Sequence, residues 1–295
     1  MPQPQALIVT ADDFGLSLPV NEAVEKAHRH GILSAASLMV GAPAADDAIA
    51  HARSLPNLGV GLHLTLLEGH PVLPPEKVPG LVGPDGRFSR DPVRFGIALF
   101  VSPEMRSQAR AEISAQFERF AETGLVMDHI NGHQHFHLHP VVLQAILEIA
   151  PRYGLPPVRL PLEPFRASFA ASGDRFLGRL AGWLFYLGQT SRLRKGVTVA
   201  GMKSNDHVFG LYDSGAMVED RLLRLIAELP PGVSEIYCHP ATRRWDGPDN
   251  LPASYRCEEE FRALVSPVVK EKLGASGLRS LSYRAALDGL GRVRA

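Results

Sequence analysis

Between residues 129 and 139 the chain reads His-Ile-Asn-Gly-His-Gln-His-Phe-His-Leu-His, five histidines in eleven positions. A d-block cation wants imidazole nitrogens together with a carboxylate, and one position left open for water. Carboxylates stand at Asp12 and Asp13, and a further imidazole at His63 inside the apolar run GVGLHLTL. Asp13, His63 and one histidine of the 129–139 run would make such a site. Asp12, beside the ligand, is then the natural general base of a hydrolase, and a histidine across the site its natural proton donor. His239, between Cys238 and Pro240, is a candidate for that donor. Each residue also has a plainer reading. Paired aspartates after a strand often cap helices, a lone histidine in a strand is usually a hydrogen-bonded core group, and His239 suits a turn. The histidine row weighs the other way: on an extended segment His133, His135, His137 and His139 would alternate onto one face.

Residues so far apart in sequence can meet only if the fold gathers strand ends. Short apolar runs at 6–10, 36–40, 59–67, 126–130, 158–160, 197–202 and 235–238 read as strands. Helical patterns at 20–30, 44–54, 103–123, 141–153 and 218–229 fall between them. Ser17 and Pro19 mark the first helix's start and Gly31 its stop. Strands alternating with helices predict βα units around a parallel sheet, with the active site at the strands' C-terminal ends. The expectation is an α/β fold, a (β/α) barrel of seven strands, over one domain spanning 1–295. The stretch 71–103 holds seven prolines and reads as a loop insertion, irregular and overhanging the site. A helical insertion is expected at 164–195.

Composition excludes several classes. With 31 basic and 31 acidic side chains no net charge draws the chain to nucleic acid. No run of apolar residues is long enough to span a bilayer, and MPQPQALIVTADD lacks a charged region followed by an apolar core, which suggests a cytoplasmic protein. Cys238 and Cys257 are too few for a disulfide framework and read as structural thiols. Neither a glycine-rich phosphate cradle nor a dense basic patch accompanies the motifs. A metal-dependent phosphoesterase and a non-catalytic sugar-binding barrel nevertheless remain alternatives to an amide hydrolase.

TADDFG at 10–15, GLHL at 61–64, the His-rich run at 129–137 and CHPA at 238–241 resemble, in order and over nearly the whole chain, the YdjC family of carbohydrate deacetylases. The resemblance implies a polysaccharide-deacetylase-like barrel, one divalent metal ion (zinc or magnesium) and removal of acetyl from an N-acetylated amino-sugar. Carried onto this chain, it makes Asp13, His63 and His133 the metal ligands and Asp12 the base. His135 and His239 become further catalytic histidines, and Arg159, Asn131 and His137 substrate-binding residues. The chain departs from the family at Asn131, where aspartate is often found. HINGHQHFHLHP together with NDHVFGLYDSG at 205–215 is similar to the hopanoid-biosynthesis-associated branch, which implies a glycolipid substrate. In the basic-ended stretch 175–194, Phe176, Leu177, Leu180, Leu184 and Leu187 share a helical stripe. That stripe suits a peripheral membrane contact at the inner face, an oligomer interface or a core helix.

Overall fold

The structure is a computed structural model that describes residues 5–291; the first four residues, included in the N-terminal reading above, lie outside it. Six strands form one wholly parallel sheet. They are β1 (Gln5–Phe14), β2 (Ala35–Leu38), β3 (Gly59–Leu64), β4 (Ile130–Gly132), β5 (His207–Phe209) and β6 (Gly232–Cys238), in the order β4-β3-β2-β1-β6-β5. Between them run α1 (Leu18–His30), α2 (Ala45–Arg53), α3 (Pro92–Val101), α4 (Pro103–Glu122), α5 (Pro140–Ile149), α6 (Phe165–Ser172), α7 (Phe176–Val199) and α8 (Glu219–Glu228). After β6 come α9 (Cys257–Val265), α10 (Pro267–Ala275) and α11 (Tyr283–Gly291). β1 lies inside the sheet and is buried from Ala6 to Phe14, as a parallel strand covered on both faces must be.

Seven strands were expected and the sheet has six. The run at 158–160 makes a single bridge to Ile130. It sits between β4 and β5, joined by Arg159 N–H to Ile130 O (2.9 Å) on one side and by Val208 N–H to Leu162 O (3.0 Å) on the other. Asn205 substitutes for the missing ladder: its side chain accepts from Leu160 N–H (2.7 Å) and donates to Leu160 O (3.0 Å) and His207 O (2.8 Å). The expected strand at 197–202 is instead the last three residues of α7 and the turn that follows, and β5 lies further on at 207–209. That apolar run is too short for periodicity to tell helix from strand.

Helix starts follow their caps. Ser102 accepts from Met105 N–H before Pro103 of α4, and Ile113, Phe117 and Phe120 on that helix are buried as its pattern predicts. Within the expected loop at 71–103, Asp91 accepts from Val93 and Arg94 N–H and, with Pro92, starts α3. Ser17 makes no such cap bond at α1, where Pro19 alone acts as a start signal. The two cysteines are buried free thiols. Among the described residues no helix is long and apolar enough to cross a membrane.

Candidate metal centre and active site

Asp12 and Asp13 are adjacent in a strand, where side chains alternate between faces, yet both line one cavity of about 510 Å³. The β1–β2 register shifts between Ala11 and Phe14, and Asp13 has a φ of 61°. This bulge, with Asp13 in the left-handed region, turns two successive carboxylates the same way. His63 arrives from the end of β3 and lines the same cavity. His133 follows β4, where the chain winds into a 3-10 turn over His133–Leu138 with Gln134 and His135 at positive φ. The turn overturns the expected extended row of histidines. His133 and His135 line the cavity, His137 is buried against Arg159 O (3.1 Å), and His139 caps α5 while its ring meets Gly96 O (3.2 Å).

Asp13, His63 and His133 each offer one ligand atom, and these lie within 4.8 Å of one another. His63 Nε2 is 3.2 Å and His133 Nδ1 3.0 Å from Asp13 Oδ1. His63 Nδ1 lies 2.7 Å from Asn131 Oδ1; with that amide oxygen accepting, a neutral ring presents the Nε2 lone pair to a carboxylate oxygen. Asp13 Oδ2 is buried and has no hydrogen-bond partner. Acceptors converging in this way call for positive charge among them, and the donor set of one carboxylate and two imidazoles fits a divalent d-block cation. Burial works against a charge on His133, but Asp13 and Glu68 together hold its imidazole up to about 10.

Asp12 is clamped rather than free. Arg159 donates Nη1–H to Oδ2 (2.6 Å) and Nη2–H to Oδ1 (2.9 Å), and Asn131 Nδ2 donates to Oδ1 (3.2 Å). Burial would raise its pKa, but the Arg159 guanidinium holds the carboxyl far below the usual carboxylate range. Of the roughly four lone-pair sites on a carboxylate, these bonds leave one on Oδ2 for the cavity. Arg159 in turn bridges to Glu235 through Nε (2.9 Å) and Nη2 (2.6 Å), with Tyr237 stacked over its guanidinium at 4.8 Å. It is fully buried. Arg159, Asn131 and His137 were expected to bind substrate. All three are buried and none lines the cavity: Arg159 and Asn131 bond to Asp12, and His137 meets Arg159 O through Nε2 while its Nδ1 has no partner.

β6 explains residues that motif reading missed. Glu235, Tyr237 and His239 alternate, so their side chains share the inward face. Glu235 holds Arg159, the Tyr237 hydroxyl lies 3.1 Å from His135 Nε2, and His239 Nε2 stands 4.0 Å from Asp13 Oδ2. Burial lowers the pKa of both His135 and His239, and the Nδ1 of each is buried without a partner. Glu68, Tyr237 and Tyr255 also line the cavity. Alternation outward from His239 would have found Tyr237; Glu68 and Tyr255 lie in irregular segments with no local signal.

The YdjC-like protein family model matches residues 6–275. A carbohydrate deacetylase of Geobacillus stearothermophilus is 33% identical over 95% of this chain and 98% of its own length. One of Vibrio campbellii is 36% identical over 96% of each, and one of Mus musculus 31% identical over 92% of each. A crystal structure from Enterococcus faecalis, described as a cellobiose-phosphate cleavage protein, is 25% identical and superposes with a TM-score of 0.69, covering 95% of this chain and 98% of that one. With a matching model over most of its length and relatives this similar end to end, the chain belongs to the YdjC-like protein family.

Proposed function

We propose that this protein is a metal-dependent amide hydrolase that removes acetyl from an N-acetylated amino-sugar. The observation that carries the reading is the convergence of Asp13, His63 and His133 on one point of a cavity that Asp12 also lines. A divalent cation held by those three residues would supply Lewis acidity towards the acetyl carbonyl and a lowered pKa for the attacking water. Asp12 accepts the water's proton at its open Oδ2 site, oriented by Arg159. An imidazole delivers a proton to the leaving amine, and His239, whose Nε2 faces Asp13, is better placed than His135, whose Nε2 is engaged by Tyr237. Overall the water's hydroxyl joins the acetyl carbon, the C–N bond breaks, the nitrogen takes its proton from an imidazolium, and the proton held by Asp12 restores that charged imidazole.

The amino-sugar is carried on a lipid in this reading. Support comes from two helices with exposed apolar residues, one of which reaches the cavity. α7 contributes Tyr186 to the lining and leaves Leu177, Leu184 and Phe185 exposed; α3 leaves Val93, Ile97, Phe100 and Val101 exposed. Neither helix carries an acidic residue, and Arg192, Arg194 and Lys195 follow the apolar stretch of α7. An apolar surface flanked by cations suits anionic lipid headgroups.

The test is mass spectrometry of an N-acetylglucosaminyl lipid and of chitobiose after incubation with zinc- or magnesium-loaded protein. Loss of one acetyl mass by wild type, abolished in Asp12→Asn with metal content unchanged, is the expected result. His63→Ala should lose both metal and turnover. Binding without turnover under every metal would leave a sugar-binding protein, and retained activity in Asp12→Asn would remove the base assignment.

A further inference from the structure

We infer that a buried hydrogen-bond chain, Asp128–His129–Ser37–Asn131, sets the tautomer of His63 and so decides which of its ring nitrogens faces the cation site. The inference rests on the metal-site reading above. Asp128 Oδ2 lies 3.1 Å from His129 Nδ1, His129 Nε2 lies 3.0 Å from Ser37 Oγ, Asn131 Nδ2 donates to Ser37 Oγ at 2.8 Å, and His63 Nδ1 meets Asn131 Oδ1 at 2.7 Å. His129, Ser37 and Asn131 have no exposed surface, so each buried donor needs an acceptor within the chain.

Only one polarity satisfies every link. Asp128 also accepts the backbone N–H of Tyr283 (3.0 Å) and Arg284 (3.1 Å), so it acts as the acceptor and His129 Nδ1 carries the proton. His129 Nε2 then accepts from the Ser37 hydroxyl, which leaves Ser37 Oγ to accept from Asn131 Nδ2. The second Asn131 N–H goes to Asp12 Oδ1 at 3.2 Å. Asn131 Oδ1 is thereby turned to His63, which must donate Nδ1–H and, as a neutral ring, carries its lone pair on Nε2. Reversing the amide would set two oxygens against each other at Asp12 and orphan the Ser37 acceptor. At ordinary resolution an amide's orientation is an inference from its partners, and here partners at both ends agree.

The strand facing this chain is shaped to admit it. Gly59, Gly61 and His63 share one face of β3. A Cβ on Gly59 would stand 2.5 Å from Asp128 Oδ2, and one on Gly61 2.5 Å from three His129 ring atoms. The His129 ring is also stacked on Tyr283, with centroids 4.5 Å apart. An aspartate at position 131 could accept from His63 but could donate to neither Ser37 nor Asp12; the amide does both.

The experiment pairs zinc titration by calorimetry with ¹⁵N histidine spectra of wild type, Asn131→Ala, Asn131→Asp and Ser37→Ala. Wild type should show His63 protonated on Nδ1, both zinc-loaded and metal-free at a pH well above the imidazole range. Asn131→Ala should lose that preference and bind zinc roughly 10- to 100-fold more weakly, and Ser37→Ala should shift the same way by less. Asn131→Asp should keep the tautomer and hold zinc within about threefold of wild type while its kcat falls, because its carboxylate stands against Asp12. A wild-type His63 protonated on Nε2, an unchanged tautomer in Asn131→Ala, or equal loss of zinc in the Ala and Asp variants would overturn the inference. If wild type binds no zinc, the metal-site reading fails by itself, and the metal-free spectra still decide the tautomer.

Discussion

Asp12 and Asp13 are chain neighbours with opposite surroundings. Asp12 is held by a fully buried guanidinium, whereas Asp13 faces imidazoles and keeps one oxygen without a partner. The first environment orients a carboxylate and keeps it ionised; the second gathers donors around a point where positive charge is wanted. The difference predicts different failures. Replacing Arg159 with Met strands the charges of Asp12 and Glu235, and breaking a buried pair by removing one partner costs about 3–5 kcal/mol. Denaturant unfolding should read that loss, and turnover should fall with it because Asp12 is no longer oriented. Asp13→Asn should instead fold normally, since asparagine tolerates the left-handed backbone found there. Its zinc affinity, measured by calorimetry, should drop steeply.

At the scale of elements, β3 and β6 set the site by alternation. β3 presents two glycines and then His63, leaving room for the Asp128–His129 pair; β6 presents Glu235 and Tyr237 before His239. Filling the β3 space predicts an overpacking loss: Gly61→Ala should destabilise by about 1–3 kcal/mol because the His129 ring has nowhere to move. Thermal or urea unfolding checks this. The exposed faces of α3 and α7 predict the reverse pattern. Changing Phe100 and Phe185 to Ser should leave stability within about 0.5 kcal/mol yet reduce sedimentation with anionic vesicles. Vesicle binding unchanged in the double variant would rule out these faces as the lipid contact.

Over the whole molecule, buried carboxyls tie stability to pH. Glu260 is fully buried beneath the site and accepts the backbone N–H of Met217 (2.8 Å) and His239 (2.6 Å). Burial pushes its pKa up to about 7, despite those two donors. A carboxyl whose folded pKa lies above its unfolded one binds its proton more tightly when folded. Its contribution is therefore complete below about pH 4.5 and is lost as pH rises through about 7, a change on the order of 3 kcal/mol. Chemical denaturation across that window should show the decline, and Glu260→Gln should flatten this share of it. An equal slope in the variant would mean that Glu260 is not its source.

The alternation of apolar runs with helical patterns was enough to establish a parallel α/β fold with its site at strand ends, because strand and helix periods are local properties of the chain. The placement of Asp12, Asp13, His63, His133 and His239 near one another was legible for the same reason: each closes or follows an apolar run. Partners were not legible. Arg159 reaches Asp12 and Glu235 across 147 and 76 residues, and only the order in which strands lie side by side brings them together. The histidine row failed as an extended face because positive φ at Gln134 and His135 wound it into a turn. The run at 197–202 is not a strand because Val197–Val199 close α7 and Gly201, at a φ of 70°, ends the helix. Sequence determined which groups stand at the rim; tertiary packing decided which are open to a ligand and which are held behind it, because hydrogen-bond partners depend on register between distant strands.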